Sequence, residues 1–520
     1  MFKRLFCLIC IFNLAFLISV LPYHKLHAES VLDQNIQTDH PLLLAHYMPW
    51  YQTPAVSGYW GWHWTMNHFN PDERNENGRR EIASHYYPVT GPYDSSDEKI
   101  LEYQVLLMKI CGVDGVIVDW YGNEDFWDYA ALHDATRELV SYIDLAELHF
   151  SICYEDQTIG HMVDESYIEE SEAIEHGKSV MQYLEDNWFH SSSYIKIDDR
   201  PVLLTFGPQY FRASSDWATL FTDLDPQPLF FTLDNRLYPV AAGAFPWPPM
   251  WASVNDILTQ DALNNYLSNF YQKASSWDYL VAGAFPAFND IYAEAELGYN
   301  YGYLDPQDGA TFESTMQTAL DQNPDIVQII TWNDYGEGTI VEPTREFELQ
   351  YLEIIQEIKK TSIDPEWIYT AEDLNLPILI LNLRKQYESD GMINGLLDDV
   401  FDMIVFGEIE SARAIIDSLT SLTQIDAENK TQPANYTLSQ NYPNPFNPTT
   451  EIAYRIPKSG EVRLTVYNIS GQEIAILVDD VLPAGLHYTR FSAHDLPASI
   501  YLYKLETADF TNTRKMILLP

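Results

Sequence analysis

Cysteine is scarce in this chain. Of 520 residues four are cysteine, and Cys7 and Cys10 fall in an N-terminal apolar run. Cys111 and Cys153 each lie in an apolar stretch ("MKICGVDG", "HFSICYED"), which reads as two buried free thiols and not as a disulfide. Two thiols cannot staple so long a chain, so its fold must rest on a hydrophobic core. Bases are also few: 29 Lys and Arg face 76 Asp and Glu, a formal charge of −47. A surface this acidic repels phosphate backbones and excludes nucleic acid as a partner; a saline habitat explains it without any ligand. There is no zinc-ligand spacing, nucleotide-binding loop or Ser-His-Asp signature. The acid-rich loop "NPDERNENGRR" (70–80) fails as a calcium loop, because Ser84 stands where the bidentate acid is required. Neither a metal nor a cofactor is implied, and the chain is read as a monomer.

What is present is apolar bulk and aromatic rings. Hydrophobic residues make up 46%, enough for a large core, and the length predicts two or three domains. Aromatics reach 14%, with 35 Tyr and 13 Trp. Most such rings serve cores, but amphipathic rings also suit the faces of sugars. Lys3 and Arg4 precede an apolar run from Leu5 to about Leu21, and small Ala28 follows. That layout reads as a signal peptide over 1–28, implying export.

From 31 to 365, strand-length apolar runs alternate with amphipathic helix-length stretches. "GVDGVIVDWYG", "HFSICYEDQT", "RPVLLTFG", "PLFFTLDN", "YLVAGAFPAFND" and "DIVQIITWNDYGE" are apolar and then turn polar at their carboxyl ends. Continuous apolar strands separated by helices mean a parallel sheet covered on both faces. Polar strand ends gathered on one side suit an α/β fold of the (β/α)8 TIM-barrel type, with its site at the carboxyl face. Residues 366–422 show helical spacing broken at Gly391 and Gly407, predicting a short helical segment that buttresses the barrel. A polar linker (423–436) leads to 437–520, where alternating strands split by Pro and Gly turns predict a small β-sandwich.

The chemistry concentrates in "TWNDYGEGTIVEP" (331–343). Asp334 and Glu337 would leave the end of a late strand, on a turn that Gly336 and Gly338 allow to be tight. Glycosidic cleavage needs such a pair, one carboxylic acid for the departing oxygen and one carboxylate to activate the attacking group. Trp332 and Tyr335 would shield the pair, with Asn333 between them. The alternative is a polar turn in which Asp334 only bonds nearby amides. Asp119, Trp120 and Tyr121 end one strand, and Glu155 and Asp156 another. These suit sugar hydroxyls; an internal network tying loops together is an equal reading for Asp119, while Glu155 is read as part of the site. His46, Tyr47 and Trp50 leave the first strand, and His85 and Tyr93 follow in the next loop.

The stretch "ITWNDYGEGTIVEP" resembles the signature of glycoside hydrolase family 99, the endo-acting α-mannosidases, through Asn333, Asp334, Glu337, Gly338, Thr339, Glu342 and Pro343. "WNDYGE" is similar to family 71, the α-1,3-glucanases, in having Asp at the first acidic position. "AHYMPWY" (45–51), "HYYPVTGPYDSSD" (85–97), "GVDGVIVDWYG" (112–122) and "ICYEDQT" (152–158) resemble family 99. The resemblance implies a glycoside hydrolase acting on internal α-linked bonds of a polysaccharide. It gives Glu337 the role of general acid/base, and Asp334 that of a base assisting attack by the sugar's 2-hydroxyl or by water. Asp in place of Glu leaves inverting α-1,3-glucanase chemistry as an alternative, and a non-catalytic glycan-binding barrel as another. In the last domain Tyr442 to Thr449 ("YPNPFNPT"), "VYN" (466–468), Gly471, Gly485 and "KMILL" (515–519) resemble the sorting domain of type IX secretion cargo. That implies recognition by the type IX machinery and passage through the periplasm and outer membrane to the medium or the cell surface.

Overall fold

The computed structural model describes residues 40–430, 436–441, 444–494 and 496–519. The expected signal peptide, and residues 431–435 of the expected linker, lie outside the described residues. The chain folds as two units, Met1–Arg413 and Ala414–Pro520.

The first unit is built on eight parallel strands: β1 (Leu42–Tyr47), β2 (Gly115–Trp120), β3 (His149–Tyr154), β4 (Arg200–Thr205), β5 (Leu229–Leu233), β6 (Gly243–Phe245), β7 (Val281–Ala284) and β8 (Ile326–Ile329). They pair in the order β6-β5-β4-β3-β2-β1-β8-β7, a nearly closed (β/α)8 barrel. Its ends approach where side chains are missing. A Cβ on Gly243 would lie 2.8 Å from the Tyr279 carbonyl, and one on Gly283 2.8 Å from the Pro246 ring.

Strand alternation sorts the two faces. Leu42, Leu44, Ile117, Cys153, Val202, Leu204, Phe231, Phe245, Val281 and Ile326 form one core cluster. Continuing this row toward the carboxyl ends gives His46 on β1, Asp119 on β2 and Gln328 on β8. The inward row is therefore apolar below and polar at the top. The opposite row meets helices: Tyr47 donates through its hydroxyl to Gln104, at 2.7 Å, on α1 (Glu98–Cys111). Asp97 caps α1 by accepting from the Lys99 amide at 3.0 Å. Both thiols are free and buried.

Most of α1 is buried because a second layer covers it. The helix Leu376–Gln386 packs there, and Arg384 grips Glu102 at 3.0 and 2.6 Å. Helices Gly391–Val405 and Ile409–Lys430 follow, the last entering the polar stretch that begins at 423. Among the described residues no helix is long and apolar enough to cross a membrane.

The second unit has two antiparallel sheets, one of three strands and one of four. Ile452 and Tyr454 from the first meet Leu464, Val466, Tyr503 and Leu505 from the second in one core, with Phe446. This is the expected β-sandwich.

Candidate active site

The polar tops of β1, β2, β3 and β8 open into a cavity of about 750 Å³. Asp334 and Glu337 reach it from the turn after β8. Thr331 Oγ1 accepts from the Asp334 amide at 2.8 Å and donates to the Thr339 carbonyl at 2.9 Å. The Gly338 amide closes the turn on the Asp334 carbonyl at 2.9 Å. Gly338 has φ +68, and a Cβ there would sit 2.7 Å from the Asn289 carbonyl, so glycine is required. From the other side, the Asn289 and Ile291 amides donate to the carbonyls of Glu337 and Gly336 at 2.8 and 3.0 Å. Both acidic side chains thereby line one cavity.

Burial dominates the electrostatics. It raises the Asp334 pKa to about 7, against the opposing effect of amides that favour its charge. Glu337 is pushed well above the usual range by burial and then by the Asp334 charge. Its Oε2 is buried with no partner at hydrogen-bond distance, and the Trp247 side chain offsets part of the cost. Glu155 is raised well above its ordinary value by burial, then by Asp119 and Asp156. Asp119 is raised by burial, with His46 opposing. His46 Nε2 and Asp119 Oδ1 stand 3.9 Å apart, both buried and unpartnered. His46 Nδ1 lies 3.0 Å from the Gln328 amide nitrogen. Cys153 joins these two as the grouping among the described residues whose donor atoms, within 4.8 Å of one another, are placed for a metal ion. Burial pushes its thiol up, however, which disfavours the thiolate a metal needs.

Of the residues singled out in the sequence, His46, Trp50, Asp119, Tyr121, Glu155, Asp334 and Glu337 line the cavity. Trp50 gives one face to His63, stacked at 4.0 Å and 3°, whose pKa burial lowers to about 3. The others are not among the lining side chains. Tyr47 faces α1. Trp120 points outward and donates to His133 at 3.2 Å, with Tyr183 stacked on it. Both follow from strand parity. Asp156 accepts from the amides of Gln209, Tyr210 and Phe211 at 2.8, 2.9 and 2.8 Å, fixing the loop after β4. Asn333 brackets Met48, accepting from its amide at 2.8 Å and donating to its carbonyl at 3.0 Å. Tyr93 and Tyr335 donate to Glu342 at 2.9 and 2.8 Å; Trp332 is buried beside them. His85 is exposed and meets the Asp290 carbonyl at 3.1 Å.

The residues missed are mainly loop aromatics: Trp62 and His63, Trp127 and Tyr129, Trp247, and Tyr292, Tyr299 and Tyr301. Their signal was local ring density, in "GYWGWHWTM" (58–66), "NEDFWDY" (123–129), "FPWPP" (245–249) and "YNYGY" (299–303). Glu342 was visible in the motif, but its part as a buried acceptor for three segments was not.

The model for glycosyl hydrolase family 71 matches residues 166–358, and that for the secretion system C-terminal sorting domain matches 440–519. A glycoprotein endo-alpha-1,2-mannosidase-like protein of Danio rerio is 23% identical over 349 residues, 61% of this chain and 75% of the relative. An ascus wall endo-1,3-alpha-glucanase of Schizosaccharomyces pombe is 35% identical over 118 residues, 22% of this chain and 25% of the relative. Among solved structures, the family 99 endo-alpha-mannosidase of Bacteroides thetaiotaomicron aligns with a TM-score of 0.44 at 17% identity, covering 61% of this chain and 95% of that one. The sorting domain supports secretion or cell-surface export. The chain is a glycoside hydrolase that is similar to families 71 and 99 and carries a C-terminal type IX sorting domain.

Proposed function

We propose that the barrel cleaves internal α-mannosidic or related α-linked bonds of a polysaccharide, with Glu337 as general acid/base and Asp334 as base. The observation that carries this reading is two carboxyls in one cavity, one raised to about 7 and the other well above its ordinary value. With its pKa pushed well above the usual carboxyl range by burial, Glu337 holds its proton to higher pH than an ordinary carboxyl and can give it to the departing oxygen. Asp334 is ionised above about 7 and takes a proton from the sugar's 2-hydroxyl or from a water. Export brings the enzyme to its polymer outside the cell; an N-terminal signal peptide and the type IX machinery carry it there.

One contact favours a second reading, inverting attack by water as on an α-1,3-glucan. Asp334 is a methylene shorter than Glu, about 1.5 Å of reach, and its Oδ1 is occupied by the Glu337 amide at 2.9 Å. Both draw the carboxylate back and leave room for a water.

An assay on yeast mannan and α-1,3-glucan, with Glu337→Gln as control, tests both readings. Wild type should release oligosaccharides from one polymer, and the variant should lose at least a hundredfold in kcat. Equal activity of the two proteins would remove Glu337 from its role. The anomer of the first product, followed by NMR, separates retention from inversion.

A further inference from the structure

The cleft does not stop at the cavity. Tyr299 and Tyr301 line it on the Glu337 side and feel that carboxylate, yet they are 49% and 48% exposed. Next to them, joined through the backbone, lies an exposed apolar surface. Trp251 is 75% exposed, Val254 69% and Ile257 52%.

This surface is rigid. "PWPPMW" (246–251) runs from Trp247 at the cavity to Trp251 outside, and its prolines fix φ. Pro249 precedes one 3-10 turn, Met250–Ala252. A two-residue hairpin follows, in which Val254 and Ile257 exchange backbone bonds at 2.9 and 3.2 Å. Its tip, Asn255 and Asp256, has φ of 51 and 60, the left-handed pair such turns need. The hairpin is joined to the cavity wall: the Tyr303 amide donates to the Asp256 carbonyl, and the Leu258 amide to the Tyr303 carbonyl, both at 2.8 Å. Ser253 adds a contact to the Tyr301 carbonyl at 3.5 Å. Trp251 meets Tyr266 in a T-shaped contact at 6.2 Å and 78°, and three quarters of its surface remains open.

We propose that Trp251, with Val254 and Ile257 beside it, is a platform for a distal stretch of the substrate's own glycan chain, on the side of the cleft where Glu337 stands. The occupant follows from continuity: a polymer lying across Tyr299 and Tyr301 meets Trp251 next, and an open indole face fits the CH face of a neutral sugar ring. The inference rests on the endo-acting reading above. It adds that polymer length is sensed outside the cavity.

The test compares Trp251→Ala and Trp251→Phe with wild type on whichever polymer, yeast mannan or α-1,3-glucan, is cleaved, and on a short aryl glycoside of the same sugar. Trp251→Ala should raise KM for the polymer roughly three- to tenfold with kcat kept, leave the aryl glycoside unchanged, and be rescued in part by Phe. In affinity gels containing the polymer, the Glu337→Gln protein should be retarded and its Trp251→Ala derivative should run faster. Unchanged polymer KM and retardation in Trp251→Ala, with wild type active, would overturn the platform alone. Equal weakening on polymer and aryl glycoside would also overturn it, as a general disturbance of the cleft. A wild type neither active on nor retarded by any α-linked polymer would overturn the platform together with the endo-acting reading.

Discussion

The amide of Glu337 donates to Oδ1 of Asp334 at 2.9 Å, so the backbone of one acid holds the side chain of the other. Their alignment is set by a single turn, and the charge of Asp334 helps to raise the pKa of Glu337.

That coupling predicts a bell-shaped pH profile for kcat/KM. As pH falls through about 7, Asp334 takes up a proton and the base is lost. As pH rises further Glu337 ionises, and the acid is lost. The two limbs report apparent values of the pair, not of either residue alone. Asp334→Asn should abolish the acidic limb, with the residual rate falling only on the alkaline side. An acidic limb near 4 in wild type would mean that the pair is not desolvated.

The same shift has a stability sign. The Asp334 pKa is raised on folding from an ordinary value of 3.8 to about 7. Its favourable contribution is complete below about pH 4 and lost as pH rises through 7. Asp334→Asn should therefore raise Tm at pH 8 relative to wild type, by about 2–6 °C, and much less at pH 4. Calorimetry at the two pH values checks this; an equal shift at both would assign the change to packing.

Glu342 gathers the loop after β1, helix α1 and the catalytic turn. It accepts from Tyr93 at 2.9 Å, Gln104 at 2.6 Å and Tyr335 at 2.8 Å. In Glu342→Gln the new amide sets a donor against one of these donors, which should cost about 1–3 kcal/mol. Because Tyr335 stands between Asp334 and Glu337, kcat should fall as well. Urea unfolding beside kinetics at one pH measures both; loss of stability with full kcat would confine Glu342 to packing.

Closure of the barrel makes Gly243→Ala costly. The added methyl faces backbone, the Tyr279 carbonyl at 2.8 Å, which cannot swing aside. A loss of roughly 1–3 kcal/mol is expected, read from urea midpoints, with a weaker cleft because Trp247 follows on the same strand exit. A neutral result would mean that β6 and β7 separate freely.

The barrel was legible because seven of its strands are long apolar runs, and an apolar run ending in acid or amide has few other readings. β6 was not legible: three residues before a proline, "GAF", carry no periodicity. Four acids of the cavity were found, Asp119 and Glu155 from inward parity at strand ends and Asp334 and Glu337 from their motif, while Asp128, in an aromatic loop, was not. Asn333, Tyr335, Trp332 and Tyr93 stand in the same motifs yet hold the turn from behind, since spacing along a chain does not give the face a side chain takes in an irregular loop. The rim aromatics escaped for the opposite reason. Each lies in a loop with no pattern but its own rings, and only the fold brings 62, 127, 247 and 301 around one opening.

The cavity wall carries Asp119, Asp128, Glu155, Asp334 and Glu337, and no Lys or Arg among its described lining. Such a chamber sorts its visitors by charge before it reads their shape. Uronic-acid and sulfated chains should be repelled once Asp334 ionises above about pH 7, whereas a sugar mimic bearing an amine should be drawn in. The acidity that runs through the whole chain thus has a local consequence here: on the proposed reading the chamber should favour neutral glycans over anionic ones and be open to blockade by cations.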